Sequence, residues 1–423
     1  MNARFEPVDA CGIDFGTSNS TAGWCRPGQK TALLPLEGDK LTLPSVIFFN
    51  AEEDDVSYGR AALADYLEGY EGRLMRSLKS LLGTSMMDEH TEVMGRAVPF
   101  RELLGQFIGE LKQRAEESAG REFTRAVLGR PVFFIDDDAQ ADQRAQDTLE
   151  RIARQAGLRD IAFQYEPIAA AFDYESQISR EELVLVVDIG GGTSDFTLIR
   201  VGPERAGRAE RRDDILASGG VHIGGTDFDK SLSLASVMPM LGLGSLLRTG
   251  RQMPSAQYFN LATWHTINQA YSRKSQAEID ELHREASDRP KLERLQALVR
   301  ERAGHWLAMQ VESAKIALSG APQTDIDIGR IAAGESVTLH RAEFDKAIDP
   351  LVVSVEQTVG RLLQDAGVRV ADIDTVFFTG GSSGVPLLRQ RVQALVPQAR
   401  CVEGDLFGSI GAGLALDAQR KFG

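Results

Sequence analysis

Two short segments set an aspartate, a glycine turn and hydroxyl side chains in the same order. The first reads Gly12-Ile13-Asp14-Phe15-Gly16-Thr17-Ser18-Asn19-Ser20 and the second Val187-Asp188-Ile189-Gly190-Gly191-Gly192-Thr193-Ser194-Asp195. Glycines in a tight turn let backbone N–H groups approach an anion with no Cβ in the way, which is what a phosphate chain requires. A nucleotide arrives with Mg2+, a hard cation that takes one or two carboxylates and keeps several waters. Asp14 and Asp188 are the natural pair. One such segment alone also describes an ordinary turn whose aspartate caps backbone amides. Two copies, with a third glycine turn at Thr379-Gly380-Gly381-Ser382-Ser383-Gly384, are not explained that way. Neither segment is GxxxxGK(S/T), and neither has the GxGxxG that opens a dinucleotide-binding helix, so the P-loop and Rossmann readings fail.

Positioning such turns requires strands on both sides of them. Leu183 to Val187 and Phe196 to Ile199 are apolar runs flanking the second segment, and the first is bounded by β-formers in the same way, so each is predicted to be a hairpin. The third turn follows Thr375-Val376-Phe377-Phe378 and precedes a helical pattern carrying Leu387, Leu388, Val392 and Leu395. Two related halves and a closing segment follow. Gln140 to Gly157 has Leu149, Ile152, Ala153 and Ala156 at helical spacing, with Gly157 as the C-cap. From Tyr271 to Ala317 charge density rises, and only Pro290 interrupts. Two or three helices are predicted there, with Leu292, Leu295, Leu298 and Val299 on one face; the heptad is not sustained, so a packed subdomain is preferred to a coiled-coil arm. Gly242 to Pro254 reads as a loop entering it.

The chain has 423 residues, enough for two or more domains, and its net charge of −14 argues against a nucleic-acid coat or a binder of anionic membranes. No apolar run approaches the roughly 20 residues that span a bilayer. Met1 to Ala10 contains Arg4, Glu6 and Asp9 with no apolar stretch, so no secretory signal is visible. Cys11, Cys25 and Cys401 have neither CxxC spacing nor an even count, which fits buried thiols in a reducing compartment, and the expected location is the cytoplasm. The six histidines never fall at HExxH spacing, so a zinc site is not expected.

These segments closely resemble the nucleotide-binding domain of the 70-kDa (DnaK-type) heat-shock chaperones, within the actin and sugar-kinase superfamily, over nearly the whole chain. The two hairpins look like the family's phosphate motifs, and Glu166-Pro167-Ile168-Ala169-Ala170-Ala171 resembles its first connecting segment. Gly219-Gly220-Val221-His222-Ile223-Gly224-Gly225-Thr226-Asp227-Phe228-Asp229 resembles the start of its helical subdomain, and Glu312-Ser313-Ala314-Lys315-Ile316-Ala317-Leu318-Ser319 the helix over the nucleoside. Gly380-Gly381-Ser382 looks like the adenosine turn. The shorter YegD-like branch fits best, with Gly129-Arg130-Pro131-Val132 and Phe163-Gln164-Tyr165-Glu166-Pro167 similar to it.

The resemblance implies an α/β, two-lobed actin-like ATPase fold of duplicated ribonuclease-H-like domains. Lobe I would comprise residues 1–182 and 399–423, and lobe II residues 183–398 with a helical subdomain over about 227–312. It implies ATP or ADP with Mg2+ as ligands, Asp14 and Asp188 holding the metal largely through water. Lys79, in Lys79-Ser80-Leu81-Leu82-Gly83, matches the active-site lysine. Glu166 and Asp195 match the carboxylates that order the attacking water, and Thr17 and Thr193 the hydroxyl partners of phosphate. Gly16, Ser18, Asn19, Gly190, Gly191, Gly192, Gly224, Gly225, Gly380, Gly381, Ser382 and Asp405 complete the implied nucleotide contacts. Glu312, Lys315 and Ser319, spaced i, i+3, i+7, share a helix face that can reach a ribose or adenine edge. Ile316 and Gly384 stand where the family places the guanidinium planes that sandwich adenine, so a looser pocket with relaxed base selectivity is expected.

A chain ending at Gly423 leaves no room for the family's linker and β-rich substrate domain, so the expectation is an ATPase switch read by protein partners, without peptide, nucleic-acid or membrane binding of its own. Two other functions compete: an actin-like nucleotide-dependent filament former and a small-molecule kinase of the same superfamily. The helical insertion between Thr226 and Lys315 favours the switch over the filament.

Overall fold

Strand β1 (Ala10–Asp14) pairs antiparallel with β2 (Asn19–Trp24), placing Asp14 opposite Thr21 with the turn of Gly16 between them. The computed structural model, which describes residues 10–25, 32–135, 138–208, 210–405 and 408–423, builds two sheets of the same plan on such hairpins. In the first, β3 (Ala32–Leu33) and β4 (Thr42–Pro44) pair antiparallel with β2; on the other side β5 (Arg125–Arg130) runs parallel to β1, and β6 (Asp160–Tyr165) parallel to β5. In the second, β7 (Glu182–Ile189) and β8 (Ser194–Val201) form the hairpin and β9 (Ile215–Val221) pairs antiparallel with β8. There β10 (Thr375–Thr379) runs parallel to β7, and β11 (Arg400–Glu403) parallel to β10. Order and strand sense match position by position, so the duplication expected from the motifs extends to whole sheets. This is the α/β actin-like ATPase fold.

Val184, Leu185, Val186 and Val187 are all buried, as a continuous apolar run in a strand covered on both faces must be. The first sheet packs on α1 (Phe100–Ala119) and α2 (Ala139–Gln155) through Leu103, Phe107, Leu149 and Ile152, with the Phe15 ring 5.7 Å from that of Phe107. Asp138 caps α2 by accepting from Gln140 N and Ala141 N. Gly157, at φ +97°, ends it, with Gly157 N bonded to Arg154 O and Leu158 N to Ala153 O. A second core joins α3 (Glu166–Glu175) to strands of both sheets and to the C-terminal helix Ser409–Phe422. The two helices approach so closely at Gly413 that a Cβ there would overlap the backbone of Ala169.

Contacts divide the chain into two compact units, residues 1–221 with 358–383 and 392–423, and residues 222–357 with 384–391. Both hairpins and both sheets lie in the first. The second contains α4 (Gly225–Leu232), α5 (Arg273–Glu285), α6 (Arg289–Arg300) and α7 (Gly304–Gly320), besides the hairpin of Gln323–Asp327 and Ser336–His340. Leu292, Leu295, Leu298 and Val299 are buried there, as their spacing predicts.

Cys11 and Cys25 are buried, but Cys401 is exposed, which corrects the expectation of three buried thiols. It lies on β11, the sheet's edge strand, and its thiol donates to Gln393 Oε1. Among the described residues no helix is long and apolar enough to cross a membrane.

Candidate functional site

Lys79 sits in the 3-10 turn Leu78–Leu81, which buried Leu78 pins to the core and which Ser77 enters at φ +58°. Its Nζ donates to Glu166 Oε1 at 2.6 Å, and the two side chains are only 11% and 13% exposed. Glu166 is the first residue of α3, where the helix dipole favours a carboxylate, and Pro167 follows in a position that needs no N–H donor. Gly129 on β5 keeps the space beside it open, since a Cβ there would come 3.3 Å from Glu166 Cγ.

Asp14 ends β1 and Asp188 lies one residue from the end of β7, so the matched sheets bring both aspartates to hairpin tips. Burial pushes the Asp14 carboxyl up to about 7, with the Glu166 charge adding to the shift and Lys79 opposing it. Asp188 is raised well above the ordinary carboxylate value, by burial first and then by Asp195, Glu166 and Asp14. Burial would lower the Lys79 pKa, but Glu166, Asp14 and Asp188 outweigh it, so the ammonium stays charged. One ammonium thus faces the carboxyl groups of Glu166, Asp14 and Asp188, and Asp195 adds its charge beside Asp188.

The three glycine turns meet around these groups. A Cβ on Gly191 would overlap Ser18 Oγ, so the first two turns are in direct apposition. Ser45 braces the first by donating to Gly16 O at 2.7 Å and pairing with Ser20 Oγ at 2.9 Å. Gly190 N closes the second on Thr193 O at 3.0 Å, and Thr193 Oγ1 donates to Asp195 Oδ2 at 3.0 Å. Gly380, at φ +79°, fits the third: a Cβ there would overlap Asp188 Oδ1 and lie 2.5 Å from Ile189 O. Ser382 N bonds to Ile189 O at 2.9 Å. A pocket beside them is lined by Glu166, Asp188 and Asp195 together with Pro131, Val132 and the half-exposed Phe133.

Other candidates have contacts of their own within each unit. In the second unit, Lys315 is buried and its Nζ binds Asp229 Oδ1 at 2.9 Å and Gly225 O at 3.2 Å, tying α7 to α4. Ser319 Oγ turns back to Lys315 O at 3.3 Å, Glu312 is half-buried, and Ile316 is 61% exposed. Gly224 precedes α4, its N–H donating to Asp227 Oδ2 at 3.0 Å. In the first unit, the Asp405 carbonyl accepts from Ser409 N at 3.2 Å, opening the C-terminal helix.

Ser45 is absent from the sequence reading, and Arg130 enters it only within the Gly129-Arg130-Pro131-Val132 motif, with no role at the site. Nothing in the sequence marks Ser45. Arg130 ends the strand that carries the apolar run Ala126-Val127-Leu128, which could have signalled an inward guanidinium; it is buried, pairs with Asp142 at 2.8 Å, and donates to the carbonyls of Pro131 and Val132, which line the pocket.

The carboxylates fit a divalent cation. Among the described residues no group of three His, Cys, Asp or Glu side chains has metal-binding geometry, but Mg2+ needs only one or two carboxylates and water. Two aspartates at facing turns, raised chiefly by burial and further by neighbouring carboxylates, are stabilised in their charged form by such a cation.

The family model described as Hsp70 protein matches residues 10–237 and 282–418. Chaperone protein DnaK of Thermosipho melanesiensis is 26% identical over 402 residues, 93% of this chain and 56% of that protein. A chaperone protein HscA homolog of Pseudomonas aeruginosa is 29% identical over 433 residues, 97% of this chain and 58% of that protein. The chain therefore spans a little over half the length of these curated relatives. A match over most of the chain, joined to a fold in which both sheets repeat one plan, shows that the chain belongs to the Hsp70 family.

Proposed function

We propose that this chain binds ATP or ADP with Mg2+ at the turns of Asp14, Asp188 and Gly380, hydrolyses ATP to ADP and phosphate, and acts as a chaperone-like switch whose nucleotide state protein partners read. The observation that carries this reading is the Lys79–Glu166 pair set beside two buried aspartates at the tips of equivalent hairpins. Phosphoryl transfer asks a protein mainly to position groups and offset charge. The bound Mg2+ supplies the positive charge that offsets the phosphate oxygens and the two aspartates. The backbone N–H groups of the glycine turns bind the phosphates, and Thr17 and Thr193 donate to them. Lys79 places its ammonium where charge develops on the transferred group. Glu166, held by Lys79, orients the attacking water with Asp195, and a carboxylate accepts its proton as the bond to ADP breaks. The resemblance assigns the nucleoside to Glu312, Lys315 and Ser319, and a switch of this kind moves lobe I (1–182 and 399–423) against lobe II (183–398).

Phosphate release measured with and without Mg2+ tests this. Turnover that needs Mg2+ and is lost in Glu166→Gln supports the reading. Tight ATP binding with no hydrolysis in the parent chain would make the protein a nucleotide sensor instead.

A further inference from the structure

Glu166 takes its place from α3, and the fold grips that helix at both ends with two adjacent arginines. Arg211 and Arg212 lie on the connection between β8 and β9. Arg211 reaches the last residue of α3, its Nη1 donating to Glu175 Oε2 at 2.9 Å and its Nη2 to Glu175 Oε1 at 2.8 Å. Glu175 Oε1 also accepts from Gly202 N at 2.9 Å, the Arg211 Nε donates to Asp214 Oδ2, and the guanidinium stands 5.5 Å from the ring centre of Phe172 on the same helix. The side chains of Arg211, Glu175 and Asp214 are each 1% exposed. Arg212 reaches the other end: its Nη1 donates at 2.7 Å to the hydroxyl of Tyr165, the residue before Glu166.

We propose that Arg211 and Arg212 are positioning residues for Glu166, a paired clamp that fixes the translation and rotation of α3 and so holds the Glu166 carboxylate on Lys79. A ten-residue α-helix is a rod of about 15 Å, so a shift at Glu175 is delivered to Glu166 with little loss. A bidentate guanidinium–carboxylate pair fixes direction as well as distance, which a lysine at the same place does not. Burying these charges returns little net stability compared with apolar packing, so the geometric constraint is what the cluster contributes beyond filling space. The 2.6 Å contact it serves is sensitive, because misplacement by about 1 Å can cost ~100-fold in rate. The inference rests on the proposed role of Glu166 in hydrolysis, and its test carries one readout that does not.

Three variants separate positioning from bulk stability: Arg211→Lys, which keeps the charge and loses the fork, and the milder Arg212→Ala and Tyr165→Phe, each removing one partner of the same hydrogen bond. Two quantities are read on the full chain: kcat and KM for Mg-ATP, and the extent to which a small acylating reagent labels Lys79 at one fixed pH, by mass spectrometry. The expected result is melting within a few degrees of the parent, Lys79 labelling raised about threefold or more, and kcat lowered about tenfold with KM changed less. Arg212→Ala and Tyr165→Phe should not add when combined, since they break one contact. Unchanged labelling and unchanged kcat in the folded variants would overturn the clamp. A parent chain without turnover would overturn the hydrolysis reading instead, leaving the labelling to decide the clamp.

Discussion

The ammonium of Lys79 donates to Glu166 across 87 residues of sequence, joining a short turn beside the first sheet to the helix that follows β6. Neither residue is held by its own element alone. Leu78 anchors one and the packing of α3 the other, so the pair records whether both parts of the fold are in register.

Lys79→Ala should lower the turnover of Mg-ATP about 100- to 1,000-fold, the usual cost of losing one preorganised group that acts on developing charge. Affinity for Mg-ADP should change far less. Single-turnover hydrolysis with calorimetric binding checks this; equal losses in both would assign the lysine to binding.

Asp188→Asn should weaken Mg-ATP by about tenfold or more, or ~1.4 kcal/mol, while leaving metal-free ATP nearly unaffected. Titration calorimetry with Mg2+ and with chelator separates the cases. Equal weakening in both conditions would mean that the carboxylate serves the fold rather than the metal.

The contribution of Asp14 to the stability of the ligand-free protein should fall as pH rises from about 4 to about 7. Burial, with help from Glu166, lifts Asp14 from 3.8 to about 7, so the folded chain keeps a proton that the unfolded chain has released. This stabilisation is full below the unfolded value and is lost as pH climbs through the folded one. Asp14→Asn should flatten the dependence, and urea midpoints at pH 5 and pH 8 without nucleotide would show it; identical slopes in parent and variant would refute the assignment.

Gly380→Ala should destabilise the chain by about 1–3 kcal/mol, because the new methyl group meets Asp188 Oδ1 and the Ile189 carbonyl while the backbone is held at φ +79°. Denaturant unfolding measures the cost. Nucleotide should recover little of it, since the clash is with the protein's own atoms.

Local pattern was enough to read the two hairpins, the third glycine turn, the helix ended by Gly157 and the apolar face of α6. In each case burial leaves a short-period signature: continuous apolar residues in a covered strand, spacing of three and four in a helix, glycine where φ is positive. The order of the motifs was likewise legible, and with it the family and the fold. Which charged groups meet was not. Arg211 stands in a run of arginines and acidic residues from Glu204 to Asp214 in which no spacing distinguishes it from its neighbours, yet it is among the most deeply buried side chains described. Cys401 reads as a buried thiol and lies exposed on an edge strand. Charge and polarity carry no periodicity that names a distant partner; the return path of the chain decides it, and here that path set Lys79 on Glu166 and Arg211 on Glu175.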